Sequence, residues 1–75
     1  MLERLERAED ARRVRAALAE ITDDSRAILL LVDVEGMTYE AAAQVLGCPL
    51  GTVRSRMNRA REMLRDRLLA MEVAA

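Results

Sequence analysis

The chain has 75 residues and a net charge of −1; 52% of its residues are hydrophobic and 33% are charged. This balance is typical of one small globular domain rather than a disordered polyelectrolyte. There is no histidine and a single cysteine, Cys48, so the commonest general base is missing and no internal disulfide can form. We therefore expect no enzymatic activity, no catalytic residues, no metal site and no cofactor.

Charge is distributed unevenly along the chain. Residues 1–49 contain six arginines and ten acidic residues, a net charge of −4, whereas residues 50–75 contain six arginines and three acidic residues, a net charge of +3. No secretory signal is evident, and the longest apolar run, 27–32, is too short to cross a bilayer. These features predict a cytoplasmic protein without a membrane partner, with its basic surface in the C-terminal third.

The first predicted helix covers residues 2–21. Apolar residues recur along it at helical spacings or their multiples, namely Leu2, Leu5, Val14, Leu18 and Ile21. Residues 3–15 are dense in glutamate and arginine, which is typical of a solvated segment. We therefore expect a charged helical linker or extension at 1–11, a folded domain at 12–71 and a tail at 72–75.

The second predicted helix follows the interruption "ITDDS" and covers about 24–34. Three side chains that favour helix N-caps precede or begin it: Thr22, Asp23 and Asp24. Its expected core residues are Ile28, Leu29, Leu31 and Val32. Gly36 is expected to end it, because glycine readily adopts the left-handed conformation found just past helix ends.

The third predicted helix covers about 39–46, with Thr38 as its N-cap and Gly47 closing it. It is short and contains three successive alanines, 41–43, which would let another helix approach closely.

The fourth predicted helix covers about 50–70, with Pro49 in its first turn, where the missing N–H does no harm. At about 100° per residue, one stripe of the helix is apolar and faces the core. This stripe contains Val53, Met57, Ala60, Leu64, Leu68 and Met71. The opposite side is polar and contains Ser55, Asn58, Arg59 and Glu62.

The third and fourth helices together match a helix-turn-helix. The pattern places Ala43 where the helices cross, Gly47 in the turn and Val53 inward on the second helix. The fold class predicted is therefore all-α, a compact four-helix domain with a helix-turn-helix and a long C-terminal recognition helix. In such a motif the exposed first turns of the second helix reach base edges in the DNA major groove.

The segment "LLLVDVEGMTYEAAAQVLGCPLGTVRSRMNRAREML" (29–64) resembles region 4 of bacterial extracytoplasmic-function (ECF) sigma factors of the sigma-70 family. The run "LGCPLGTVRSR" (46–56) carries most of the resemblance, which extends more loosely over 12–68. It implies a four-helix, non-enzymatic domain whose last helix recognises the promoter −35 element during transcription initiation. It also implies double-stranded promoter DNA and the β flap of RNA polymerase as partners, an anti-sigma factor as a further partner, and no small-molecule substrate.

The resemblance assigns DNA-binding roles by position in the last two helices. The positions that face bases are Arg54, Ser55, Asn58 and Arg59, and the positions that touch phosphates are Thr52 and Arg56. The start of the third helix, which packs over the DNA backbone, corresponds to Thr38, Tyr39 and Glu40. Asn58 departs from the family, which often has an aromatic residue or histidine there, so the base preferred at this contact stays open.

Other interpretations remain open at the level of sequence. "ITDDS" stands where the family often has "LP", and 75 residues cannot hold region 2, so we expect either a region 4 fragment or a stand-alone region 4-like protein. One alternative function is a protein-interaction module, held by an anti-sigma factor through helices two and three with "AILLLV" (27–32). Another is the DNA-binding domain of a response regulator, which shares the "GTV" start of the recognition helix.

Overall fold

The computed structural model describes residues 2–74, with side chains over 7–72, and these residues form helices and short turns without a β-strand. The helices are α1 (Leu2–Glu20), α2 (Asp23–Leu29), α3 (Tyr39–Leu46) and α4 (Leu50–Ala74), and a π-helical turn, Leu30–Val34, continues α2. The all-α, four-helix prediction is confirmed. The side chains of Leu2 and Leu5, counted above in the apolar spacing of α1, lie outside the described side chains.

Thr22 is the residue that caps α2, out of the three candidates. Its Oγ1 accepts a hydrogen bond from the Ser25 backbone N–H at 3.3 Å, while Asp23 and Asp24 occupy the first turn, where negative charge favours the helix dipole. Arg26 donates from Nη1 to the Leu18 carbonyl at 3.0 Å and thereby ties α2 to the end of α1.

The end of α2 widens into a π-helical turn, which the sequence did not predict. The Glu35 N–H donates to the Leu30 carbonyl at 2.9 Å, a five-residue step instead of the usual four. The Met37 N–H then returns to the Leu31 carbonyl at 3.0 Å, and Gly36 between them has φ +75°. The predicted role of Gly36 as the left-handed residue that ends this helix is confirmed.

The predicted limits of α3 are correct at both ends. Thr38 Oγ1 accepts from the Ala41 N–H at 3.0 Å, so Thr38 is the N-cap. At the other end Gly47 has φ +65°. Its N–H donates to the Gln44 carbonyl, and the Cys48 N–H donates to the Ala43 carbonyl at 3.1 Å. These two bonds form a Schellman motif, and Cys48 packs against the core as its apolar contact.

Helix α4 differs from its prediction at both ends. The Val53 N–H donates to the Pro49 carbonyl at 3.2 Å, so Pro49 occupies the capping position immediately before the helix rather than its first turn. The helix continues to Ala74, past the expected end at residue 70, so residues 72–74 are helical rather than a separate tail. The 1–11 and 12–71 division of the chain stays a prediction, since α1 passes through that boundary unbroken.

The core lies along one side of α4, against which α1, α2 and α3 all pack. Its buried apolar residues are Ala17, Ile21, Ile28, Leu29, Ala42, Val53, Met57 and Ala60. Leu31 and Val32, predicted as core, are only half-buried, as are the predicted stripe residues Leu64, Leu68 and Met71. In α3 the alanine with no exposed surface is Ala42, whereas the predicted Ala43 is half-buried. The described molecule measures 41 × 25 × 15 Å, its long dimension reflecting the 25-residue α4.

Candidate nucleic-acid interface

A turn centred on Gly47 joins α3 to α4, so that the two helices form a helix-turn-helix with α4 as its second helix. The Schellman bonds fix the direction in which the chain leaves α3, and Pro49 then begins α4 after only two more residues. Ala42 and Val53, both fully buried, occupy the shared core between the two helices. The first turns of α4 are consequently held by packing on one side and free on the other.

The free side of α4 carries a run of polar and cationic side chains. Arg54, Ser55, Arg56, Asn58 and Arg59 are all exposed, and they are interleaved with the buried anchors of the same helix. Those anchors are Val53, Met57 and Ala60, each with no exposed surface. The predicted division of these turns into an inward apolar stripe and an outward polar face is confirmed.

Arg54, Arg56 and Arg59 on this face have no acidic partner among the residues that the structure describes. Residues 50–61 contain four arginines and no acidic residue. Within the described part of the chain, Arg54, Arg56 and Arg59 take part in no salt bridge, although four other arginines do. Their positive charge is therefore available to an anionic ligand, and the planar guanidinium suits two-pronged hydrogen bonding to phosphate or to a base edge.

Arg56 and Arg59 lie on one edge of α4. Together with Ser55 they line one shallow concavity, and both also line a second, next to Thr22 and Ser25 at the start of α2. Asp24 contributes a carboxylate to that second concavity, so its floor is not uniformly positive. The structure thus brings three predicted DNA-contacting residues of α4 together around one edge of the helix.

Two hydroxyl groups of the predicted site already make local hydrogen bonds. Ser55 Oγ donates to the Gly51 carbonyl at 3.0 Å, which leaves its oxygen free to accept from a ligand. Thr38 Oγ1 accepts from the Ala41 N–H, which leaves the hydroxyl hydrogen free to donate. Thr52, one turn before Arg56, is half-buried.

The start of α3 holds the remaining predicted residues. Tyr39 is half-buried and packs against the core, while Thr38 and Glu40 are exposed. None of the three lines the concavities at Arg56 and Arg59 among the described residues. The structure therefore places this group at the start of α3, apart from those two concavities.

An ion pair that the sequence analysis missed joins α4 to the π-helical turn. Arg61 donates from Nη2 to Asp33 Oδ1 at 2.9 Å and from Nε to Asp33 Oδ2 at 3.4 Å. The hydrogen bond to Asp33 raises the pKa of the Arg61 guanidinium above its ordinary value, and the negative charge of Asp33 raises it further. Burial opposes this rise, and nearby Tyr39 adds to it. The two residues are 28 positions apart, so no local spacing pointed to this pair.

The protein is therefore a compact all-α domain with a helix-turn-helix. The second helix of this motif carries exposed arginines that form no ion pair among the described residues. The family model described as "Sigma-70, region 4" matches residues 11–64. The chain belongs to this family, which supports the sigma-factor prediction over the response-regulator alternative.

Several similar proteins are named as ECF RNA polymerase sigma factors. The chain is 48% identical over 56 residues to "ECF RNA polymerase sigma factor SigC" of Mycobacterium tuberculosis, covering 75% of this chain and 30% of that protein. It is 50% identical over 50 residues to "ECF RNA polymerase sigma factor EcfG" of Rhodopseudomonas palustris, covering 67% of this chain and 28% of that protein. A sigma-E factor of Haemophilus influenzae is 42% identical over 48 residues, covering 64% of this chain and 25% of that protein. The chain thus spans under a third of the length of these relatives.

None of the described helices is both long enough and apolar enough to cross a lipid bilayer.

Proposed function

We propose that the chain recognises the −35 element of promoter DNA as region 4 of an ECF-type sigma factor, with the first turns of α4 inserted in the major groove. The observation that carries the proposal is that Arg54, Arg56 and Arg59 are exposed and form no ion pair with any described residue. The helix that carries them is anchored by buried Val53 and Met57. A major groove about 12 Å wide admits one α-helix of this kind.

Base recognition falls to exposed side chains in the first turns of α4. Arg54 and Arg59 can each fork onto the O6 and N7 of guanine, and Asn58 can pair with the N6 and N7 of adenine. Ser55, whose hydrogen is held by Gly51, can accept from a cytosine or adenine amino group. Because each bidentate pair distinguishes bases, these residues supply the sequence preference.

Phosphate contacts set the register of α4 on the duplex. Thr52 and Arg56 lie at the edges of the base-reading face, and Thr38, Tyr39 and Glu40 sit at the start of α3, which in this motif crosses the backbone. The free hydroxyl hydrogen of Thr38 suits a phosphate oxygen. With four to six phosphates contacted, the logarithm of affinity would fall with the logarithm of salt at about −0.9 per contact.

Protein partners are part of the same proposal: the β flap of RNA polymerase, and an anti-sigma factor that silences the domain. Support comes from large apolar side chains left exposed outside α4, with Val34 of the π-helical turn at 69% and Val45 of α3 at 59% exposure. Such residues are the usual content of protein-binding surfaces when they lie close together.

The test is selection from a pool of randomised duplexes with this chain, followed by anisotropy titration of the selected and a scrambled duplex. We expect Arg59→Ala to weaken binding to the selected duplex by about 1–3 kcal/mol, because one bidentate base contact is lost. The matched control is Arg67→Ala, an exposed arginine eight positions further along α4, which should leave discrimination unchanged.

Two outcomes would contradict the proposal. One is that selection recovers no preferred sequence. The other is that Arg59→Ala discriminates between the selected and scrambled duplexes as well as the wild-type chain does.

A further inference from the structure

Arg61 belongs by position to the DNA-facing arginines but differs from them in its partner. It lies seven residues after Arg54, which on an α-helix places it within about 20° of the same edge and about 10 Å further along the axis. Arg61 therefore continues the edge of α4 that carries Arg54, about two turns beyond it. Arg54 is unpaired among the described residues, whereas Arg61 is bound to Asp33.

Asp33 engages Arg61 with both carboxylate oxygens, at 2.9 and 3.4 Å. Asp33 stands in the π-helical turn that ends α2, a segment that the returning Glu35 and Met37 N–H bonds hold in place. The side chains are 50% and 43% exposed, so solvent and DNA have access to both. The pair is therefore an accessible contact at the limit of the basic face.

We propose that Asp33 withholds Arg61 from the DNA backbone and so limits the number of phosphates that α4 contacts. Asp33 is then a specificity-determining residue that touches no base. The inference rests on the DNA-binding function proposed above and adds the residue that sets where its phosphate contacts end.

The reason is electrostatic. The pair as a whole is neutral, so it has few counterions for DNA binding to release, and counterion release is what makes phosphate contacts favourable. If Arg61 left Asp33 for a phosphate, the carboxylate would remain unpaired close to a polyanion. Charge repulsion would then oppose the new contact.

The consequence concerns DNA of the wrong sequence. Binding to non-cognate DNA comes almost entirely from phosphate contacts, and a genome offers a vast excess of such sites. An added arginine contact would hold the domain on them more tightly without adding any base recognition. By holding Arg61, Asp33 prevents this additional phosphate contact while the arginine stays in place on α4.

The experiment measures the salt dependence of binding to a short mixed-sequence duplex for the wild-type chain, Asp33→Ala, Arg61→Ala and the double variant. We expect Asp33→Ala to steepen the slope of log affinity against log salt by about 0.9, equivalent to roughly threefold more affinity lost between about 50 and about 200 mM salt. The double variant should keep the wild-type slope, because it removes both members of a neutral pair that contacts no phosphate. Arg61→Ala leaves the Asp33 carboxylate unpaired near the DNA and should bind no more tightly than the wild-type chain at any of these salt concentrations.

The matched control is Glu35→Ala, which removes the same charge from an exposed residue two positions away that forms no ion pair among the described residues. The salt slope of Glu35→Ala should equal that of the wild-type chain. This result would show that the steeper slope of Asp33→Ala comes from the release of Arg61 and not from the loss of one negative charge. Circular dichroism of each variant confirms that the helices are intact.

Three results would overturn the inference: an unchanged slope for Asp33→Ala, an equal steepening in Glu35→Ala, or a slope shallower by about 0.9 in the double variant, which would show that Arg61 already contacts a phosphate. All three presuppose that the wild-type chain binds DNA with a measurable salt slope. Absence of that binding would instead contradict the proposed function itself, and the inference with it.

Discussion

Helix α1 and the first turns of α4 are both rich in arginine, but only one of them presents unbalanced charge. Residues 2–20 contain five arginines and five acidic residues, and Arg12 and Arg13 approach the carboxylate of Glu9 at 3.5 and 3.9 Å. Residues 50–61 contain four arginines and no acidic residue. Arginine density alone therefore does not distinguish the two helices, whereas the absence of local acidic partners does.

The two helices also differ in how they are anchored. Over its described side chains α1 buries only Ala17 completely, whereas the first half of α4 buries Val53, Met57 and Ala60. A face that reads bases has to be held rigidly by the packing behind it. The difference explains why the outward arginines of α4 suit recognition and those of α1 suit a solvated surface.

The largest expected effect comes from removing that anchor. Met57→Ala should lower the free energy of unfolding by about 2–5 kcal/mol, because a fully buried side chain leaves a cavity in a small core. The measurement is urea denaturation followed by circular dichroism. Leu69→Ala, on the same helix but 52% exposed, is the control and should change stability by less than about 0.5 kcal/mol. Equal losses in the two variants would show that α4 is not anchored as described.

A smaller effect separates the two sets of arginines directly. Arg56→Ala should make the salt slope of DNA binding shallower by about 0.9, because one phosphate contact is lost. Arg12→Ala removes the same charge from α1, where Glu9 partners it, and should leave the slope unchanged. Anisotropy titrations of a mixed-sequence duplex at several salt concentrations measure both slopes. The comparison between the helices would be wrong if the two variants behaved alike.

Local patterns in the sequence were sufficient to predict most of the fold. Thr38 and Gly47 mark the ends of α3 because capping and left-handed backbone are properties of single residues and their neighbours. Val53, Met57 and Ala60 were assigned to the core from helical spacing alone. The outward position of Asn58 and Arg59 followed from the same spacing.

Features that depend on contacts between distant segments were not predicted. The π-helical turn at Leu30–Val34 contains ordinary helix-compatible residues, so no local signal marks it. The Asp33–Arg61 pair spans 28 residues, and the full burial of Ala42 rather than Ala43 depends on how α3 crosses α4. The roles assigned to the nine DNA-binding residues rest on resemblance and stay predictions.

The most direct test of the central claim is an NMR titration of the isotopically labelled chain with its selected duplex. We expect the backbone amide shifts to change most at 51–59, with smaller changes at 38–40 and none at 7–17, since Asp10, Arg13 and Val14 of α1 lie beside residues 65–72 of α4, beyond its first turns. Shifts concentrated in α1, or in α4 beyond residue 62, would contradict the assignment of the DNA-reading face to the first turns of α4.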